Sequence, residues 1–166
     1  MVVAPAYDAK RAADMRTTAL LGPSVELLKN LGVWQLCAEQ SAPLTGIRIV
    51  DDRGDLVRAP EVLFKASELG LHSFGANVAN PTLNAALHAV AARTPRLEWQ
   101  PTASVTAVEP TGTCARLVLA EGASLTATLV VAADGRASIA RAGAGISTRS
   151  WSYPQAAIAT SFSHSR

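Results

Sequence analysis

The sequence predicts a mixed α/β fold with antiparallel strands inserted into a framework of helices and strands. Three observations carry this. Leu129-Val130-Val131-Ala132-Ala133 is an apolar run ending in Asp134-Gly135, and a short helical stretch holding Arg136 and Arg141 follows. That strand–turn–helix order belongs to open α/β sheets, whose ligands sit at the carboxyl ends of strands. Two stretches, after Pro23 and after Asn80, carry apolar residues at helical spacing. Short alternating segments separated by Gly- and Asp-bearing turns fill the remainder.

Residues 1–4 read as the tail of a short apolar strand, and 7–18 as polar and irregular, with Asp14 and Arg16 two apart. In the helix after Pro23 and Ser24, Val25, Leu28 and Leu31, with Leu27, form an apolar stripe that Gly32 ends. Residues 46–50 and 56–64 read as strands joined by Asp51-Asp52-Arg53-Gly54-Asp55. That loop lacks the acidic twelfth ligand of a calcium-binding EF-hand, so a solvated turn is expected. Asn80 is expected to cap the next helix, with Pro81 at its first position. Leu83, Leu87, Val90 and Ala91 share one face, and Thr94-Pro95 stops the helix.

A meander of strands follows over 97–100, 104–108, 115–119 and 125–131. The last is apolar on both faces near its end, as suits a strand buried between the layers of a parallel sheet. Residues 138–144 form a short helix, and 153–164 alternate loosely as one more strand. A chain that opens and closes inside strands is expected to be part of a larger protein.

Composition narrows the function classes. The chain is 17% charged, against roughly 25% in an average soluble domain. Its net charge of +2, with scattered arginines, gives no footprint for nucleic acid. Cys37 and Cys114 form no C-x-x-C pair, and His72, His88 and His164 share no metal-ligand spacing, so no metal is expected. Met1-Val-Val-Ala-Pro5 lacks the basic region and apolar stretch of a signal peptide, so none is expected. The sequence shows no run of the roughly 18 apolar residues a bilayer requires, no nucleophile elbow and no P-loop. Gly143-Ala-Gly145-Ile-Ser-Thr148 starts like a dinucleotide fingerprint but follows a helix and lacks the third glycine.

Asp134-Gly135 and Arg16 are the candidate binding residues. Glycine lets a phosphate or ribityl chain approach the backbone, a carboxylate accepts from hydroxyls, and guanidinium forks match phosphate oxygens at Arg136, Arg141 or Arg16. Taken singly, an ordinary Asp-Gly turn and a solvated surface arginine remain open alternatives.

Together the segments resemble a known family. Asp14-Met-Arg16-Thr-Thr-Ala-Leu20, the helix leading to Leu31-Gly32-Val33-Trp34, Asn80-Pro-Thr-Leu83-Asn-Ala-Ala-Leu87, Ala132-Ala-Asp-Gly-Arg136-Ala-Ser138-Ile-Ala-Arg141 and Trp151-Ser-Tyr153-Pro-Gln155-Ala-Ala-Ile158 occur in one order. That order resembles the FAD-dependent ubiquinone-biosynthesis hydroxylases, the 2-polyprenylphenol hydroxylase group of the p-hydroxybenzoate-hydroxylase-like aromatic monooxygenases. The resemblance implies a partial FAD/NAD(P)-binding Rossmann-like domain with inserted antiparallel strands of a substrate-side sheet. It divides the chain into a partial FAD-binding domain (1–42), inserted substrate-side strands (43–76), the FAD-binding domain continued (77–150) and the start of a substrate domain (151–166).

It further implies that Arg16 contacts the flavin pyrophosphate and ribityl region, that Asn80 reaches the ribityl chain, and that Asp134 and Gly135 contact FAD and NADPH. Ser138 and Arg141 match the helix behind them, and no catalytic residue is assigned. The implied reaction is NAD(P)H- and oxygen-dependent hydroxylation of a prenylated phenol or other aromatic ring, with the oxidative chemistry belonging to FAD. A cytoplasmic protein, peripheral to the inner membrane or held in a biosynthetic complex, is the implied setting. The family's G-x-G-x-x-G turn and later Gly-Asp motif do not occur here, so FAD binding by this chain alone is expected to be weak or absent. Two other functions stay open: a non-catalytic module docking on a full-length hydroxylase, and a hydroxylase of a soluble aromatic acid.

Overall fold

The computed structural model describes residues 1–8, 14, 16–52, 54, 57–101 and 104–158. In chain order the strands and helices are β1 (Val2–Ala4), β2 (Thr17–Leu21), α1 (Gly22–Asn30), β3 (Ser41–Pro43), β4 (Gly46–Ile49), β5 (Val62–Lys65), β6 (Gly75–Ala79), α2 (Asn80–Ala91), β7 (Trp99–Pro101), β8 (Val105–Pro110), β9 (Ala115–Leu119), β10 (Ser124–Ala127) and α3 (Ile139–Gly143). They fall into two compact units, residues 8–94 with 158–166, and residues 1–7 with 95–157.

In the 8–94 unit, β6 pairs antiparallel with β2 on one side and β3 on the other. Helix α1 starts at a proline in its first turn, buries Val25 and Leu28, and carries Lys29 near its carboxyl end, paired with Glu26 at 2.7 Å. Leu28, Val33, Cys37, Val78 and Ala86 form the core, with Leu20, Trp34, Leu83 and Val90 packed against it. Burial there pushes the Cys37 thiol pKa up. Val78 is wholly buried in β6, which is hydrogen-bonded on both edges. Val78→Ala is therefore expected to cost roughly 2 kcal/mol through two lost methyls and the void behind them, read from a denaturant titration.

Strands β4 and β5 form a separate antiparallel hairpin, Ile47 opposite Phe64 and Ile49 opposite Val62, with every residue exposed. Its second strand starts at Val62 and not at 56. Pro60 offers no N–H for a ladder, and the Ala59 N–H donates to Asp51 Oδ2 at 3.2 Å, so the chain ahead of Val62 is tied into the loop. Residues 53, 55 and 56 of the expected turn and strand lie outside the described residues.

In the other unit, β1 runs parallel to β7, and β8, β9 and β10 form an antiparallel meander. Leu117 and Leu119 are buried in β9, and α3 lies against β8. The expected strand over 125–131 ends at Ala127. No strand among the described residues takes up its hydrogen bonds beyond that point, and Leu129 and Val131 are 79% and 80% exposed. They are not buried between layers. The expected strand over 153–164 is likewise absent in its described part: residues 153–158 are irregular and exposed, and 159–164 lie outside the described residues.

Candidate functional site

In the 8–94 unit the strand register brings Arg16 and Asn80 together. Thr17 faces Ala79 at the end of the β2–β6 ladder, so the residue before β2 meets the residue after β6, and the Asn80 N–H donates to the Arg16 carbonyl at 3.0 Å. Asn80 does not cap α2. Ala79 holds the cap position and has no polar side chain to cap with, while the Asn80 side chain is engaged elsewhere. Its Oδ1 accepts from Thr18 Oγ1 at 2.6 Å, and its Nδ2 donates to Asp14 Oδ2 at 2.9 Å.

Asp14 is the hub, a role its place in the sequence motif had not revealed. Its Oδ1 accepts from the Arg16 backbone N–H at 3.1 Å and from Nε at 2.7 Å, while Oδ2 accepts from Nη2 at 2.8 Å. With Asn80 that makes four donors on one carboxylate, and they fill its acceptor positions. The Arg16 side chain, then the Asn80 amide, hold the Asp14 pKa far below the usual carboxylate range.

This sets a pH dependence. A depressed carboxylate stabilises the fold fully above its unfolded pKa of about 3.9 and loses that contribution as pH falls toward the folded value. The melting-temperature gap between the native chain and Asp14→Asn is expected to be constant from neutral pH down to about 4 and to close below it. A gap that widens in acid would contradict this.

In the other unit, Asp134 and Gly135 lie in an exposed segment ahead of α3. The Ser138 hydroxyl, then the Ala140 N–H at 3.0 Å to Oδ2, keep the Asp134 carboxyl ionised below its ordinary range. Ser138 caps α3, its Oγ accepting from the Arg141 N–H at 3.0 Å. Arg141 is not free for an anion at every donor, since Nη2 donates to the Arg136 carbonyl at 2.8 Å. Gly135 has φ +83°, a conformation glycine adopts without strain, and a Cβ built there would meet nothing within 4 Å. An open cleft of about 400 Å³ between β8 and α3, lined by Val108, Glu109, Pro110, Ile139, Ala142 and Gly143, contains none of these residues. Among the described residues no three His, Cys, Asp or Glu side chains gather where a metal could be held, and no helix is long and apolar enough to cross a membrane.

The fold class is that of a flavin-binding protein. The crystal structure of a tetracycline destructase superposes with a TM-score of 0.52 at 15% identity, over 84% of this chain and 39% of that one. At that identity the likeness is one of fold. Residues 7–165 match the family described as FAD binding domain. Two curated relatives are each 32% identical: ubiquinone hydroxylase UbiL of Rhodospirillum rubrum, over 92% of this chain and 34% of its own length, and 3-demethoxyubiquinol 3-hydroxylase of Escherichia coli, over 87% and 36%. The chain belongs to the FAD binding domain family. It spans about a third of the length of the curated relatives it matches.

Proposed function

We propose that the chain is the flavin-binding portion of an FAD-dependent hydroxylase that uses NAD(P)H and oxygen on a ubiquinol-type aromatic ring, with a prenylated phenol as the substrate. The observation that carries this reading is the 32% identity to two ubiquinone hydroxylases, together with an Arg16 guanidinium held in place by Asp14. Each unit has its own candidate contacts. Arg16, 70% exposed in its side chain, would meet a phosphate, and Asn80 beside it a ribityl hydroxyl. Asp134, held ionised, would accept from a cofactor hydroxyl, and the unobstructed face of Gly135 would let the cofactor approach the backbone. Within each unit, these groups have the chemistry to meet an FAD phosphate or hydroxyl.

When bound, FAD supplies the two-electron and oxygen chemistry; the protein binds, orients and excludes water. In the same reading, segments 1–42 and 77–150 serve the cofactor, 43–76 belong to the substrate side, and 151–166 lead into a substrate domain. A peripheral attachment to the inner membrane would suit a prenylated substrate.

The test is an FAD titration of the 166-residue chain followed by flavin fluorescence. Saturable binding that is lost on gel filtration is expected, and Arg16→Ala is expected to weaken it about tenfold, the worth of one charge-assisted hydrogen bond. Saturable FAD binding that Arg16→Ala leaves unchanged would overturn the assignment of Arg16 to the cofactor. A flavin band that survives purification would overturn the expectation of weak binding.

A further inference from the structure

We propose that Asp14 is a positioning residue: through a closed ring of hydrogen bonds it fixes the Arg16 guanidinium so that its remaining Nη1–Nη2 edge is presented to a diphosphate. This rests on the reading that Arg16 meets a phosphate-bearing ligand. The ring runs from the Arg16 carbonyl to the Asn80 N–H, through the Asn80 side chain to Asp14, and from Asp14 back to the Arg16 side chain. Thr18, bonded to the Asn80 carbonyl oxygen, fixes which way that amide faces.

An isolated surface ion pair two residues apart would hold neither partner in place. Here Asp14 is tied across 66 residues of sequence to the β6–α2 junction, so its orientation comes from the sheet and not from its own loop. The carboxylate takes Nε and one N–H of Nη2, which leaves the Nη1 edge of the guanidinium. Among the described residues Arg16 makes no side-chain bond other than those to Asp14. Exposure follows the same division: the Asp14 side chain is 32% exposed and that of Arg16 is 70% exposed.

A carboxylate beside an anion site would ordinarily oppose binding. Two features reduce that cost. Four donors already share the Asp14 charge, and the free edge of the planar guanidinium lies on the side away from it. A guanidinium already held in one orientation loses less freedom when a diphosphate forks onto it.

Inorganic pyrophosphate, titrated at low ionic strength into the ¹⁵N-labelled full chain, tests this through the Arg16 Nε–H resonance. In the native chain that resonance should be sharp and should shift saturably. Asp14→Asn should broaden it and weaken pyrophosphate about fivefold, and Thr18→Val should do the same to a smaller degree. In an Arg16→Lys background, Asp14→Asn should cost nothing further.

Tighter or unchanged pyrophosphate binding in Asp14→Asn overturns the proposal, because Asp14 would then merely oppose the anion. So does an equal loss in the Arg16→Lys background, or a native chain whose Arg16 resonance ignores pyrophosphate. If either single variant unfolds, the other decides, and unchanged backbone spectra establish that it is folded. The two readings fail separately. Pyrophosphate bound through Arg16 without FAD binding overturns the FAD assignment alone, and FAD binding indifferent to Asp14→Asn overturns the positioning role alone.

Discussion

Gly75→Ala is expected to destabilise the 8–94 unit more than alanine at any other described glycine of that unit. A Cβ at Gly75 would stand 1.9 Å from the Leu20 carbonyl oxygen and 2.8 Å from both the Leu20 carbonyl carbon and Leu21 Cα. All three are backbone atoms, so no side chain can rotate away, and β2 must separate from β6 where Leu21 pairs with Gly75. Overpacking of this kind costs about 1–3 kcal/mol and occasionally more, and in a unit of this size each kcal/mol lowers the melting temperature by roughly 4–8 °C. A fall of about 10 °C or more in a thermal melt followed by circular dichroism is the expected result. Gly22→Ala is the control, since its Cβ would lie 3.9 Å from the Phe74 carbonyl oxygen, an ordinary contact. Similar melts for the two variants would show that the β2–β6 approach has slack.

Gly143→Ala makes the corresponding test in the other unit. Its Cβ would fall 2.0 Å from the Val108 carbonyl oxygen and 3.0 Å from the Val108 carbonyl carbon, closing the gap through which α3 touches β8. The cost should again be about 1–3 kcal/mol, and the consequence reaches further along the chain. Helix α3 supplies the Ala140 N–H that bonds Asp134, and Ser138, its cap, supplies the hydroxyl. Displacing α3 should therefore raise the Asp134 pKa toward its ordinary value. The Asp134 carboxyl carbon shift, followed by NMR against pH, reports this. An Asp134 titration identical to that of the native chain would mean that the helix can yield without disturbing the turn.

Legibility from sequence followed side-chain size. The helices at 22–30 and 80–91 were readable from apolar stripes and prolines, and β9 over 115–119 from alternation between two turns. The sheet of the 8–94 unit was not foreseen. Its central strand reads Gly-Ala-Asn-Val-Ala, small residues with one β-branched member, because neighbouring backbone comes too close at Gly75 to admit a side chain. Close packing thus removed the large apolar residues that announce a buried strand. The opposite error was made at Leu129-Val130-Val131, where strand-like composition meets no partner among the described residues.

At the candidate site, Arg16 was singled out by residue type and Asn80 only through the family resemblance, and their connection was not legible. Their meeting depends on the β2–β6 register, and with β2 and β6 unread nothing connected positions 14, 18 and 80.

The central place of β6 also orders events in time. Strands β2 and β3 do not pair with each other; each pairs with β6, which is made after both. At roughly 5–20 residues per second, a ribosome needs several seconds to travel from β2 to β6. Through that interval both earlier strands emerge with open edges, and the ring around Asp14 lacks Asn80. Chain collapse before β6 arrives would leave Leu20 and Trp34 against the wrong neighbours. The ring around Asp14 is thus among the last parts of the 8–94 unit to close.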